Sequence, residues 1–346
     1  MKKRALVICP GRGTYNKTEL GYLAKWHSDK PDLIGAIDQY RDECKQVPIS
    51  ELDAMASYSM SKHTRGDNAS ALVYACAYSD FLSINRDAYE LVAVTGNSLG
   101  WYVTLGCANA LSSENALKVI NTMGTLMHQH LQGGQIVYPL LDDKWREIEG
   151  RQAMLDDALE AVNQQSGCEL FISIRLGGFV VFAGNDAALK ALTQILPVLD
   201  ERYPMRLFNH SAFHSPLLQE VSLIGSDQLP SELFKQAQLP MIDGRGHIWY
   251  PHSTDIDSLW DYTLGKQVVD TYDFTKAIQV AVKEFAPDKL IVLGPGTTLG
   301  GAVAQSLIDI NWQGLSCKQD FIDRQQSDDP LVVSMGMDEQ RGLAID

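Results

Sequence analysis

A five-residue turn, Gly96-Asn97-Ser98-Leu99-Gly100, sits between an apolar run, Leu91 to Thr95, and a stretch of helical character, Leu99 to Ala110. Strand, G-x-S-x-G and helix in that order place a serine on a sharp turn at the end of a buried strand, with glycines relieving the crowding on either side. The helix that follows begins with backbone N–H groups that have no partner inside the helix. The amide of Leu99 is therefore able to face a developing oxyanion. The pentapeptide recurs by chance in many chains; its place at a strand-to-helix switch gives it weight as a nucleophile turn with Ser98 at its tip.

The same unit recurs at both ends of the chain. Ala5 to Cys9 is a short apolar run that stops in Pro10-Gly11-Arg12-Gly13, and Lys289 to Leu293 runs into Gly294-Pro295-Gly296 ahead of a helical stretch, Leu299 to Ile308. Short apolar runs ending in glycine-rich turns, with helices between them (Ala69 to Leu82 is another), predict an α/β core with buried parallel strands.

The middle has a different rhythm. Gln135 to Leu140 reads as a strand and Trp145 to Gln164 as an amphipathic helix; two apolar runs flank Gly177-Gly178 as a hairpin. Asn185 then caps a helix over Ala187 to Leu199, and Met205 to Phe208 is a last strand. This β-α-β-β-α-β order is ferredoxin-like. The expected organisation is one large α/β domain made of residues 1–130 and 210–346, carrying an inserted ferredoxin-like subdomain over 131–209. From Gln325 onward the chain is expected to be a surface extension.

Composition removes whole classes of function. A net charge of -14 argues against nucleic acid as a partner, because phosphates reward clustered Lys and Arg. No apolar stretch approaches the ~20 residues of a membrane helix, and Met1-Lys2-Lys3-Arg4 leads into only a short apolar run, so the expectation is a cytoplasmic protein without a cleaved signal. The six cysteines stand singly, with no C-x-x-C pair and no His/Cys cluster at metal-ligand spacing. They are expected mostly to be small buried hydrophobes, with no metal site.

A serine needs a base to attack a carbonyl at neutral pH, and histidine has the matching pKa. Of the eight histidines, His214 stands in Ala212-Phe213-His214-Ser215-Pro216, where the chain re-enters the large domain. A domain boundary is a natural cleft. His210, four residues earlier, remains the alternative on chemistry alone.

Taken together, Pro10-Gly11-Arg12-Gly13, Gly96-Asn97-Ser98-Leu99-Gly100, Ala212-Phe213-His214-Ser215-Pro216, Gln267 with Phe274, and Gly294-Pro295-Gly296 resemble, in order, the malonyl-CoA:acyl carrier protein transacylase family and the acyltransferase domains of polyketide synthases. The resemblance implies the two-part fold above, with the large domain α/β-hydrolase-like. It also implies a Ser98/His214 dyad whose imidazole is oriented by a backbone carbonyl, and an oxyanion hole from the amides of Leu99 and Arg12. Gln267 would support the histidine. The implied substrates are a coenzyme A thioester and the phosphopantetheine thiol of an acyl carrier protein, exchanged through an acyl-serine in fatty acid or polyketide biosynthesis, with no bound cofactor.

Departures from the family pattern bear on the acyl group. The arginine that pairs with a malonyl carboxylate is replaced by Met123 in Met123-Gly124-Thr125-Leu126-Met127. Deleting one partner of a buried ion pair costs about 3–5 kcal/mol, so the expectation is an acyl group other than simple malonyl, uncharged or larger. Against this, Arg12 stands where the family has glutamine, and Arg175 lies near a usual asparagine. Either is a possible carboxylate partner. Asn97 replaces a frequent histidine, Ala69 stands near a usual glutamine, and Phe213 is the version that goes with malonyl. A thioester hydrolase with the same dyad, and a carrier-protein docking protein without catalysis, are the alternative functions.

Overall fold

The computed structural model describes residues 1–346. Eleven strands form two sheets. They are β1 (Lys3–Cys9), β2 (Tyr89–Gly96), β3 (Gly134–Pro139), β4 (Leu170–Leu176), β5 (Phe179–Gly184) and β6 (Met205–Arg206). After them come β7 (Met241–Ile242), β8 (Ile248–Trp249), β9 (Tyr272–Asp273), β10 (Lys289–Val292) and β11 (Val332–Ser334).

The larger sheet has the order β11-β10-β1-β2-β7-β8, parallel except for the last strand. Ala5 through Cys9 are wholly buried, as a central parallel strand covered on both faces must be. Helices Gly66–Ser83, Leu99–Cys107, Phe274–Phe285 and Leu299–Asp309 each bury an apolar surface within the same core. The strands β1 and β2 lie side by side, so the turns at their C-terminal ends, Pro10–Gly13 and Gly96–Gly100, are neighbours. Open α/β sheets place ligands at this edge.

The smaller sheet has the order β6-β3-β5-β4-β9. Its first four members, with helices Arg151–Asn163 and Asp186–Ile195, follow the β-α-β-β-α-β path read from the sequence, and they enclose a core of their own that includes Ile136, Tyr138, Leu170 and Phe182. The large part of the chain supplies β9, which pairs parallel to β4 through Ile174 with Tyr272. The fold is thus the expected α/β-hydrolase-like sheet with a ferredoxin-like companion.

Local boundaries differ from the sequence reading. The helix expected from Trp145 starts at Arg151, because the Asp142 carboxylate accepts from the amides of Lys144 and Arg146 and holds a turn there. The helix expected to reach Leu199 stops at Ile195. Leu196 is extended (ψ 135°), as a residue ahead of proline prefers to be, and Pro197 follows. The tail is not a surface extension. β11 joins the large sheet beside β10, with Leu331, Val333 and Met335 buried. The closing helix, Asp338–Ile345, buries Arg341 2.6 Å from Asp80. The apolar run Leu331-Val332-Val333 is the signal that acidic Ser327-Asp328-Asp329 obscured. Of the cysteines, Cys9, Cys76 and Cys107 are buried, Cys44 is exposed, and Cys168 and Cys317 are in between.

Candidate active site

Ser98 occupies the tip of the turn after β2 with φ 56° and ψ -109°. A left-handed φ is costly for a residue with a Cβ, and such strain persists only where the surroundings over-determine it. Here they do. A Cβ on Gly100 would run into the carbonyls of Cys9 and Pro10, and one on Gly96 into the backbone of Gly100. The Asn97 amide donates to Cys9 O at 3.1 Å, locking the turn to the end of β1.

Ser98 Oγ lies 2.7 Å from Nε2 of His214. His214 Nδ1 lies 2.7 Å from the main-chain oxygen of Gln267. Because a carbonyl can only accept, Nδ1 carries the proton and Nε2 is the free acceptor facing the serine hydroxyl. Burial pushes the imidazole pKa down to about 4, opposed by the Gln267 carbonyl. The ring is therefore neutral, as a base must be, throughout the physiological range.

Three elements hold this arrangement. The segment bearing His214 is pinned to the small sheet: Ser211 Oγ donates to Gln132 O (2.8 Å), Ser173 Oγ to Phe213 O (2.7 Å) and Gln135 Nε2 to Ser173 Oγ (2.6 Å). Gln267 follows a single π-helical turn, Tyr262–Lys266, an irregularity common at functional sites. Its side chain closes the far side, donating from Nε2 to Ser98 O (3.2 Å) and accepting at Oε1 from Tyr102 OH (2.8 Å). Tyr272 donates to Gly96 O at 2.6 Å while its ring packs 5.3 Å from that of His214.

A cavity of about 40 Å³ opens over this pair, lined by Arg12, Ser70, Ser98, Leu99, Tyr102, Met123, Gly124, Met127, Phe213, His214, Gln267 and Val268. Seven of the nine residues singled out in the sequence are among them: Ser98, His214, Leu99, Arg12, Met123, Phe213 and Gln267. Two are not. Arg175 is exposed and lies 3.9 Å from Asp273 on the outer edge of the small sheet. Asn97 is turned back toward β1, with its Oδ1 buried and unpaired. His210 binds Gln135 Oε1 through Nδ1 at 2.7 Å, and it is His214 that meets the serine.

Sequence reading missed Tyr102, Met127 and Ser70. Tyr102 and Met127 each stand four residues beyond a residue that was recognised, Ser98 and Met123, on the same helical face. Ser70 adjoins Ala69, and it is the serine that reaches the cavity. Gly124 lets helix Ser113–Gln129 approach helix Gly66–Ser83; a Cβ there would lie 2.6 Å from both Gly66 O and Ser70 Oγ. No group of three or more His, Cys, Asp or Glu side chains is arranged to hold a metal ion, and no helix is long and apolar enough to cross a membrane.

No family model matches the chain. Among curated proteins it is similar to the malonyl CoA-acyl carrier protein transacylase of Haemophilus influenzae, 24% identical over 325 residues, covering 90% of this chain and 94% of that one. The enzyme of the same name from Staphylococcus aureus strain MRSA252 is 24% identical over 229 residues, 65% of this chain and 70% of that one. Among solved structures, the malonyl-CoA:ACP transacylase of Synechocystis sp. PCC 6803 superposes with a TM-score of 0.74 at 17% identity, covering 99% of each chain. A malonyl-transacylase solved in complex with its type II PKS acyl-carrier protein gives 0.70 at 17% identity, over 88% of this chain and 93% of that one. In sequence and in fold the chain is thus a distant relative of the malonyl-CoA–acyl carrier protein transacylases.

Proposed function

We propose that the protein is an acyltransferase that moves an acyl group between coenzyme A and the pantetheine thiol of an acyl carrier protein, with Ser98 as nucleophile and His214 as base. The observation that carries this reading is the pair of 2.7 Å contacts on the imidazole, Ser98 Oγ at Nε2 and Gln267 O at Nδ1. The relatives' activity and the carrier-protein complex of one structural neighbour support it.

In this reading Ser98 Oγ attacks the thioester carbonyl carbon while its proton passes to Nε2. The amides of Leu99 and Arg12 stabilise the oxyanion. The C–S bond then breaks, Nε2 returns the proton to the departing CoA sulfur, and an acyl-serine remains. The carrier thiol gives its proton to Nε2 as its sulfur attacks the ester. When the C–Oγ bond breaks, that proton returns to Ser98. Gln267 and Tyr102 hold the nucleophile turn against the histidine during both halves.

The acyl group in this proposal is not a malonyl held at position 123. Met123 is 1% exposed and offers a thioether where the resemblance places a guanidinium. A carboxylate left there without a partner would cost several kcal/mol, on the order of 3–5.

The test is a mixture of protein, acyl-CoA and holo-carrier protein, followed for acyl-carrier protein and for free acid. Acyl-carrier product is expected to dominate; free acid as the main product would make the protein a thioester hydrolase instead.

A further inference from the structure

The Arg12 side chain is anchored but not satisfied. Its Nη2 donates to Thr64 O and Asn209 O, both at 2.9 Å, and its Cζ lies 5.0 Å from the centre of the Phe213 ring. These contacts fix the guanidinium against the cavity wall. Its Nε is enclosed with no hydrogen-bond partner, although the residue as a whole is half-buried. The chain satisfies an enclosed guanidinium elsewhere: each of the three nitrogens of Arg41 has an oxygen acceptor, among them Val47 O, Asp67 O and Asn68 Oδ1.

No protein carboxylate completes Arg12 either. Asp67, which interacts with it at long range, is taken by Arg65 through Nε (3.1 Å) and Nη2 (2.9 Å). Arg12 is the only charged residue lining a cavity otherwise made of apolar residues, Gly124 and uncharged polar groups. Burial draws its pKa down to about 10, so it remains a cation at neutral pH. Holding a half-buried cation at the cavity wall with its enclosed Nε unpaired is costly unless a ligand supplies the acceptor.

We infer that Arg12 is a specificity-determining residue that receives a carboxylate carried by the acyl group, from a part of the cavity lining other than the thioether of Met123, so that the substrates are dicarboxylic acyl thioesters. This rests on the acyl-transfer reading above. It moves the carboxylate receptor from the helix Ser113–Gln129 to the turn after β1. It also joins two tasks in one residue, since the Arg12 amide serves the oxyanion and its side chain the far end of the same acyl chain. The anion could instead come from the CoA phosphates, and the choice of substrates separates the two.

The experiment measures the rate of acyl-adduct formation on the protein by intact mass, with two pairs of thioesters matched in carbon number: malonyl- with propionyl-CoA, and succinyl- with butyryl-CoA. In at least one pair the carboxylated member is expected to react faster. Arg12→Gln installs the residue the resemblance places in this turn; it is expected to reduce that preference on the order of 100-fold, the loss of one partner of an enclosed ion pair. Arg12→Lys, which keeps the charge but loses the fork, is expected to recover part of it. The inference is overturned if the uncharged member is equal or faster in both pairs. It is equally overturned if Arg12→Gln slows both members alike, which would assign Arg12 to the CoA phosphates. If the wild-type protein forms no adduct with any of the four but does with a longer uncharged acyl-CoA, the inference is overturned while acyl transfer stands; no adduct with any of them overturns both.

Discussion

The Nδ1 atom of His214 is held 2.7 Å from the main-chain oxygen of Gln267. A carboxylate in that place, as in serine protease triads, would stabilise the imidazolium and raise the ring's pKa. A neutral carbonyl fixes the same tautomer without supplying a negative charge, and burial then dominates. Thioester exchange suits such a base, because a thiolate is a better leaving group than an amine and needs less help from an acid.

One consequence is the acid limit of the reaction. In the proposed mechanism His214 acts as a base only while neutral, and burial holds its pKa down to about 4. The rate of adduct formation in the free protein is therefore expected to stay level as pH falls from 8 through the ordinary histidine value near 6.5, and to drop only toward about 4. A pH profile of kcat/KM for acyl-CoA checks this. A midpoint near 6.5 would mean that the ring is solvated during catalysis.

Tyr102 and Gln267 form the support of the nucleophile turn. Tyr102→Phe removes the 2.8 Å hydrogen bond to Gln267 Oε1 and is expected to lower kcat about tenfold, since loosening a positioned group by a fraction of an ångström is felt at the reacting atoms. Gln267→Leu leaves the buried Tyr102 hydroxyl unpaired and is expected to cost about 1–3 kcal/mol of stability. Steady-state kinetics and urea unfolding read the two effects separately; an unaltered kcat in both variants would limit these residues to packing.

Two glycines separate close packing from open space. Gly124→Ala places a Cβ 2.6 Å from Gly66 O and Ser70 Oγ and is expected to destabilise the fold by about 1–3 kcal/mol while opening the cavity floor. Gly35, within helix Pro31–Glu43, has nothing within 4 Å of such a Cβ, so Gly35→Ala is expected to stabilise by about 0.5–1 kcal/mol. Thermal unfolding of both compares them directly.

Much of this arrangement was legible before any coordinates. The strand-glycine-helix switch marked Ser98 because that turn requires glycines at both ends, and the β-α-β-β-α-β rhythm marked the small sheet because strand and helix periodicities differ. The base was harder. His210 and His214 are four residues apart on one irregular segment; their chemistry alone leaves both open, the resemblance points to His214, and the contacts to Ser98 and to Gln267, 53 residues away in sequence, distinguish them. That carbonyl leaves no trace in the sequence, as backbone groups are the same everywhere. Arg12 and Arg175 were equal candidates for the same reason: charge is visible in sequence, while enclosure and the absence of a partner are properties of packing. The tail was misread because three acidic and polar residues preceded a strand of only three.

Arg175 supplies a contrast with Arg12. It is exposed, outside the cavity, and 3.9 Å from Asp273; exposed pairs of this kind contribute at most about 1 kcal/mol. Arg175→Gln is expected to leave the ranking of acyl-CoA substrates as in the wild type. A changed ranking in a substrate panel would bring the edge of the small sheet into the acyl site.

The central claim is that Ser98 carries the acyl group, and intact-mass analysis after brief mixing with acyl-CoA tests it most directly. One adduct with the mass of the acyl group is expected, located on Ser98 by peptide mapping, absent from Ser98→Ala and discharged by holo-carrier protein. An adduct that persists in Ser98→Ala, or that maps to one of the cysteines, would contradict it.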